Sequence, residues 1–175
     1  MDATTLKEVQ GPLKARYLDD PTAAMVTLQA TGSVDGEGVT CKIDTGRALA
    51  TAGLHPATGG SGLELCSGDM LLEALVACAG VTLKAVATSL DIPIKGGTVT
   101  AEGDLDFRGT LSVSRDAPVG FVRIGLQFDL DTDADDDQLS TLLRLTERYC
   151  VVLQTIRSAA PTTATVRRGG QSNIA

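Results

Sequence analysis

The chain has 175 residues, of which 43% are hydrophobic and only 3% aromatic, and its formal net charge is −7. This length predicts one domain with a substantial core, built from Leu, Val, Ile and Ala because tryptophan is absent. The negative charge argues against nucleic acid and membrane surfaces as partners, since both are anionic and favour basic proteins.

Residues 1–22 combine charged side chains with few apolar ones and predict an N-terminal arm. No basic stretch leads into an apolar run here, so the pattern of a secretory signal is missing and we expect a cytoplasmic protein. Alternating apolar residues then predict three strands, the first two joined by a hairpin turn, at residues 23–29, 39–43 and 48–51. Five glycines within residues 53–68 predict a long irregular loop.

Residues 70–90 are apolar on nearly every side at helical spacing, which predicts a buried helix. Glu73 and Lys84 interrupt the apolar run, so we do not expect a transmembrane span. Pro93 lies just beyond and should end the helix. On a helical projection Cys78 lies opposite the stripe that contains the two charged residues, so it should point toward the core.

The rest of the chain predicts a β-hairpin, a second helix and a final short strand, at residues 98–113 with 121–130, 135–158 and 164–167. The first hairpin strand should be interrupted near Arg108, and Cys150 should lie on the packing face of the helix. Residues 169–175 predict a flexible tail. The order of elements predicts an α+β fold, with antiparallel sheets packed on two long buried helices in a domain of residues 23–168.

The four cysteines, at positions 41, 66, 78 and 150, lack CxxC spacing, and the chain is too large to need a disulfide framework. Cys78 and Cys150 lie on the inward faces of separate helices, so they are candidates for a redox pair. In such a pair one thiol is oxidised to a sulfenic acid and the other resolves it as a disulfide. The competing interpretation is that both are small buried hydrophobic residues.

A thiol inside an apolar helix is a poor nucleophile because burial raises its pKa, so this chemistry requires a cation that stabilises the thiolate. Arg47 lies between the second and third predicted strands and could reach a helix packed on that sheet. Arg16, Arg148 and Arg157 are alternatives. Each of the four could equally be a solvated surface charge.

Two segments of the chain resemble the osmotically inducible protein C and organic hydroperoxide resistance (OsmC/Ohr) superfamily. In that superfamily a glycine-rich loop leads into a long apolar helix with the reactive cysteine, and here Gly59-Gly60 precede residues 69–78, DMLLEALVAC. The second cysteine segment of the superfamily resembles residues 147–150, ERYC. The resemblance covers about residues 23–167.

This resemblance implies an OsmC-like fold, an intertwined homodimer with sites at the subunit interface, and a peroxidase that reduces organic hydroperoxides or hydrogen peroxide. Cys78 would be the peroxidatic cysteine and Cys150 the resolving one. Arg47 would be the catalytic arginine, and Asp69 would be the acidic group that holds it. A dithiol of the lipoyl type would be the reductant, and we expect neither a cofactor nor a metal.

The chain departs from the superfamily pattern at several positions. Ser67 and Val151 stand where prolines are usual, Asp69 stands where peroxidase members usually have glutamate, and the spacing from Arg47 to Cys78 is not diagnostic. These departures leave open a non-enzymatic alternative, in which an apolar pocket at the dimer interface binds a small lipid-like ligand. Paired cysteines distinguish the two hypotheses, because a binding module does not need them.

Other motifs are incomplete. Asp129, Asp131 and Asp133 imitate the start of an EF-hand loop, but the glycine and glutamate that the loop needs are missing. His55 and Ser61 do not form a hydrolase motif, because the glycines around the serine lack the G-x-S-x-G spacing. Zinc-finger spacing is also absent.

Overall fold

The computed structural model describes residues 49–112 and 114–166, together with 2–5, 8, 10–11, 19, 31–33 and 40–44. Several expectations from the sequence therefore lie outside the described residues. These are most of the predicted arm, the predicted strand at 23–29, Arg16, Arg47 and the predicted tail at 169–175.

The N-terminal sheet has four strands: β1 (Thr31–Ser33), β2 (Thr40–Asp44), β3 (Leu49–Gly53) and β4 (Leu65–Cys66). The first three pair antiparallel, while β4 runs parallel to β3. Strands β2 and β3 confirm the prediction for this region. Strand β4 corrects it, because it lies in the segment that was expected to be an irregular loop. It is only two residues long, which is too short for any alternation to be visible in the sequence.

Helix α1 (Ser67–Ser89) confirms the predicted apolar helix and is the central element of the structure. Its buried side chains recur at helical spacing and form one face: Leu75, Ala79, Leu83, Val86 and Ala87. By length and composition α1 would also pass as a membrane span, as the core helices of many soluble proteins do; its most apolar window has a mean hydropathy of 1.8. Only 28% of that window is buried within the chain, so much of its apolar surface is left uncovered.

Strands β5 (Gly96–Leu105) and β6 (Phe121–Asp131) form a second, antiparallel sheet. The predicted interruption near Arg108 is confirmed, because β5 ends at Leu105 and the chain turns into a short helix, α2 (Phe107–Thr110). The predicted continuation of the strand beyond this break is wrong, since residues 111–112 form a turn. Asp106 explains the change, because its carboxylate accepts the Arg108 backbone N–H at 3.1 Å and so caps the turn.

The second predicted helix is present but divided into α3 (Asp136–Tyr149) and α4 (Val151–Arg157). Helix α3 begins with a capping box between Asp135 and Gln138, whose hydrogen bonds measure 2.8 and 3.0 Å. Cys150, at the junction, has extended backbone angles of φ −72° and ψ 106°. A single helix through residues 135–158 is therefore a wrong prediction.

The final predicted strand at 164–167 is also largely wrong. Of its described residues only Val166 forms a bridge, and residues 159–165 have no regular secondary structure. Every residue from 158 to 166 is exposed, so no buried face holds this segment in a strand.

Two groups of buried residues lie along α1, and together they make an α+β core. The first, here called the distal cluster, contains Leu83, Val86, Ala87, Ile92 and Leu142. The second, here called the cysteine cluster, contains Leu75, Ala79, Cys150 and Leu153. Partly buried residues of β6 pack against both clusters, and Val99 and Ala101 of β5 pack against the cysteine cluster. The second sheet therefore covers one side of α1, and α3 and α4 cover another side of the same helix.

Candidate active site

Cys78 and Cys150 come together in the cysteine cluster. Cys78 lies in the middle of α1 and is half-buried, whereas Cys150, between α3 and α4, has no exposed surface. Both are free thiols, and they interact with each other directly. The structure therefore juxtaposes the two cysteines that the sequence analysis paired.

The helix break at Cys150 leaves backbone amides near the two sulfur atoms without helical partners. The last bond of α3 runs from the Cys150 N–H to the Thr146 carbonyl at 2.9 Å, and the first bond of α4 runs from the Gln154 N–H to the Cys150 carbonyl at 2.9 Å. The amides in between have no partner within a helix. Those of Val151 and Val152 act on the thiol of Cys78 and lower its pKa.

These donors make the Cys78 thiol more acidic than an ordinary cysteine. Partial burial by itself would raise its pKa, but hydrogen bonds from the Val152 N–H, the Cys150 thiol and the Val151 N–H outweigh that effect, so the pKa is lowered. The Thr82 hydroxyl acts in the same direction. The hydroxyl lies 2.8 Å from the Cys78 carbonyl, and its one proton goes either to that carbonyl or to the sulfur.

Cys150 has the opposite character. Burial raises the pKa of its thiol, and the neighbouring Cys78 raises it further, although the Leu153 N–H acts in the other direction. At a pH between the two pKa values Cys78 is the thiolate and Cys150 the thiol. The site therefore holds one nucleophilic sulfur beside one protonated sulfur.

Gln154 was not recognised from the sequence as part of the site, and Arg157 was considered only as an alternative cation for the thiolate. The side-chain amide of Gln154 donates to the Glu147 backbone carbonyl at 2.7 Å, and Nη2 of Arg157 lies 2.8 Å from Oε1 of Glu147. Both contacts join α3 to α4 across the break. Only the polar residue at position 154, where the apolar pattern continues on either side, hints at this role in the sequence.

The proposed arginine and its acidic partner are not seen together. Arg47 lies outside the described residues, and Asp69 is exposed in the first turn of α1. Nine residues of helix separate Asp69 from Cys78, which places them about 13.5 Å apart along the axis and on opposite sides. The alternatives have partners elsewhere, because Arg148 lies over the ring of Tyr149 at 5.6 Å and Arg157 pairs with Glu147.

The remaining polar candidates from the sequence have partners other than Cys78 and Cys150. His55 accepts the Ala57 N–H at 3.0 Å and stacks on Phe107, with ring centroids 5.0 Å apart. The Ser61 hydroxyl donates to the Glu64 carboxylate. Among the residues that the structure describes, no cluster of His, Cys, Asp or Glu could hold a metal ion.

An apolar cavity of about 470 Å³ lies between β6 and α3. Leucines supply most of its wall, with Phe128 and Thr132, and neither Cys78 nor Cys150 lines it. A smaller cavity of about 150 Å³ shares the wall residues Leu126, Phe128 and Leu143 with it. The larger cavity, of about 470 Å³, has room for a small apolar ligand.

Large hydrophobic side chains near the cysteines are exposed. Val81, one turn beyond Cys78, is 72% exposed, and Tyr149 and Val151, on either side of Cys150, are 58% and 69% exposed. Apolar side chains concentrated around one site are typical of surfaces that another molecule covers.

Comparisons with known proteins identify the family and the fold. A sequence model described as OsmC-like protein matches residues 60–165. An OsmC-like protein from Mycoplasma pneumoniae superposes with a TM-score of 0.64 at 15% identity, covering 77% of this chain and 89% of that one. An organic hydroperoxide resistance protein OsmC from Legionella pneumophila gives 0.56 at 17% identity, covering 77% and 91%.

The organic hydroperoxide resistance protein OhrB of Bacillus subtilis gives a TM-score of 0.51 at 20% identity, covering 78% of this chain and 94% of that one. A comparison with curated proteins found no match. At these identities the structural likeness establishes the fold, and the family match rests on the sequence model.

Proposed function

This chain belongs to the OsmC-like protein family, and we propose that it is a thiol-dependent peroxidase that reduces organic hydroperoxides or hydrogen peroxide. The family includes organic hydroperoxide resistance proteins. The observation that carries the proposal is the asymmetric pair of thiols. Hydrogen bonds lower the pKa of Cys78, while burial raises the pKa of the adjacent Cys150.

In the proposed reaction the Cys78 thiolate attacks the terminal oxygen of the hydroperoxide. A sulfur–oxygen bond forms and the oxygen–oxygen bond breaks, and the leaving alkoxide takes a proton and departs as an alcohol. Cys78 is then a sulfenic acid. Cys150 attacks its sulfur, a disulfide forms, and the hydroxide that leaves takes the Cys150 proton and departs as water.

An external dithiol completes the cycle. By thiol–disulfide exchange it returns Cys78 and Cys150 to thiols and itself becomes a disulfide. We propose a lipoyl-type dithiol for this step, acting in the cytoplasm, where a reducing environment keeps the resting thiols free.

Titration with an organic hydroperoxide tests the function. Cumene hydroperoxide should remove two thiols per chain, and peptide mapping should find one disulfide between Cys78 and Cys150, with Cys41 and Cys66 still reduced. Adding dihydrolipoamide should then sustain hydroperoxide consumption over many turnovers. Mixed disulfides that involve Cys41 or Cys66, or no reaction at all, would contradict the proposal.

We propose that Arg47 stabilises the Cys78 thiolate and the charge that develops in the transition state, and that Asp69 orients Arg47. Arg47→Ala should then slow hydroperoxide consumption by about 10- to 1000-fold without unfolding the chain. Asp69→Asn should have a milder effect. Steady-state kinetics together with circular dichroism would measure both, and unchanged kinetics for Arg47→Ala would move the role to Arg16 or Arg148.

We propose that the chain is a homodimer. Most of the apolar window of α1 is not buried within one chain, and Val81 and Val151 are exposed beside Cys78. A second copy that covered this surface would also shield the thiolate from bulk water. Light scattering should give the mass of two chains at micromolar concentration, and a stable single-chain mass would contradict the proposal.

A second candidate function has one observation in its favour. The apolar cavity between β6 and α3 is large enough for a small lipid-like ligand and is separate from the cysteines. In this alternative the protein binds such a ligand without catalysis. Retention of a fatty acid by a Cys78→Ser variant, together with no hydroperoxide consumption by the unmodified protein, would favour it.

A further inference from the structure

The break between α3 and α4 changes the hydrogen-bond partner of the Glu147 carbonyl. In an uninterrupted helix the Val151 N–H would donate to the Glu147 carbonyl, four residues earlier. Here the Glu147 carbonyl accepts the side-chain amide of Gln154 at 2.7 Å, and the helix is interrupted at Cys150. The Val151 N–H is thereby released from the helix and acts on the thiol of Cys78, whose pKa it lowers.

We propose that Gln154 is a positioning residue, which occupies the Glu147 carbonyl and so leaves the Val151 and Val152 N–H groups directed at Cys78. The inference rests on the proposed function, in which Cys78 is the attacking thiol. Gln154 does not touch the reacting sulfur. It acts through the backbone, by taking the acceptor that would otherwise draw the Val151 N–H back into a continuous helix.

One further contact keeps the break in place. Nη2 of Arg157 bonds the Glu147 carboxylate at 2.8 Å, so the same residue is held through both its side chain and its backbone. No proline enforces the break, since Val151 opens α4. A residue such as valine leaves the amide free to return to the helix, which is why a side-chain competitor for the carbonyl matters here.

Gln154→Leu in the full chain tests the proposal, because leucine keeps the volume but cannot donate. Gln127→Leu is the matched control, since Gln127 is an exposed glutamine on β6 that donates to Asp129. Alkylation of each cysteine by iodoacetamide is followed across pH by mass spectrometry. We expect the midpoint of Cys78 to rise by about one pH unit in Gln154→Leu, a roughly tenfold smaller thiolate fraction below the midpoint. The alkylation midpoint of Cys78 should not change in Gln127→Leu. The alkylation midpoint of Cys66 should not change in either variant.

The Val151→Pro variant distinguishes a positioning role of Gln154 from a general effect of Gln154 on protein stability. Proline has no N–H to return to Glu147, and it requires the extended conformation that Cys150 already has, so it enforces the break without Gln154. Gln154→Leu should therefore leave the Cys78 midpoint unchanged when Val151→Pro is also present. This comparison remains informative where Gln154→Leu alone does not fold.

An unshifted Cys78 midpoint in folded Gln154→Leu would overturn the proposal. A shift of equal size with and without Val151→Pro would also overturn it, because Gln154 would then act by another route. Alkylation requires no peroxidase turnover. A protein that shows the expected midpoints but consumes no hydroperoxide would contradict the proposed function and leave the role of Gln154 intact.

Discussion

Replacement of Cys78 by serine should abolish hydroperoxide turnover, with a loss of at least about 1000-fold, because a serine hydroxyl is not ionised at neutral pH and is a far weaker nucleophile than a thiolate. The fold should survive, since Cys78 is only half-buried and the two side chains are similar in size. Hydroperoxide consumption in the presence of a dithiol is the measurement.

Cys66→Ser is the matched control for that variant. Cys66 is also a partly buried free thiol, and it lies at the start of α1, twelve residues before Cys78. That separation is about 18 Å along the helix axis. Turnover by Cys66→Ser should stay within a few-fold of the unmodified protein. A Cys78→Ser variant that retained activity would show that another thiol is the nucleophile.

Cys150→Ser should allow one round of oxidation and then stop the enzyme. The first attack needs only Cys78, so a first equivalent of hydroperoxide should still be consumed, and over-oxidation of the sulfenic acid consumes a second. Without a resolving thiol the sulfenic acid persists and reacts again with hydroperoxide to give sulfinic acid, which thiols do not reduce. Mass spectrometry should find two added oxygen atoms on the Cys78 peptide, and turnover should be lost.

We expect the Cys150→Ser substitution to leave the structure intact. Residue 150 is the N-cap residue of α4, where the cysteine side chain makes no capping hydrogen bond to an amide such as that of Leu153. A serine oxygen is a preferred acceptor for that amide, so thermal unfolding should change little. Continued multiple turnover by Cys150→Ser would mean that the external dithiol resolves the sulfenic acid directly.

The sequence predicted those parts of the fold that depend on one repeating pattern. Helix α1 and strands β5 and β6 follow from apolar periodicity over ten or more residues, and their positions agree with the structure within a few residues, except where Asp106 stops β5. The break at Cys150 could not be predicted in the same way. Residues on both sides of it continue the helical pattern, and the break depends on contacts with α1 and on the Gln154 side chain.

The same distinction applies to the candidate site, where helical periodicity predicted some features and tertiary contacts determine the others. Helical faces placed Cys78 and Cys150 inward, and the resemblance paired them. The cause of the low pKa of Cys78 was expected to be a cation, however, and within the described residues the groups that lower it are backbone amides together with the Cys150 and Thr82 side chains. Backbone amides are present at every position except proline, so a sequence does not reveal which of them a fold leaves free.

The core consists of two clusters, and only the cysteine cluster contains the two thiols of the candidate site. The distal cluster holds branched aliphatic side chains, whereas the cysteine cluster combines two leucines with Ala79 and Cys150. Leu142 and Cys150 are about 12 Å apart along the helical path, a distance at which the effects of substitutions are generally additive. Substitution of Leu142 therefore changes the stability of the fold with little direct effect on the sulfur pair, and Phe128, which packs against both clusters, is the residue that connects them.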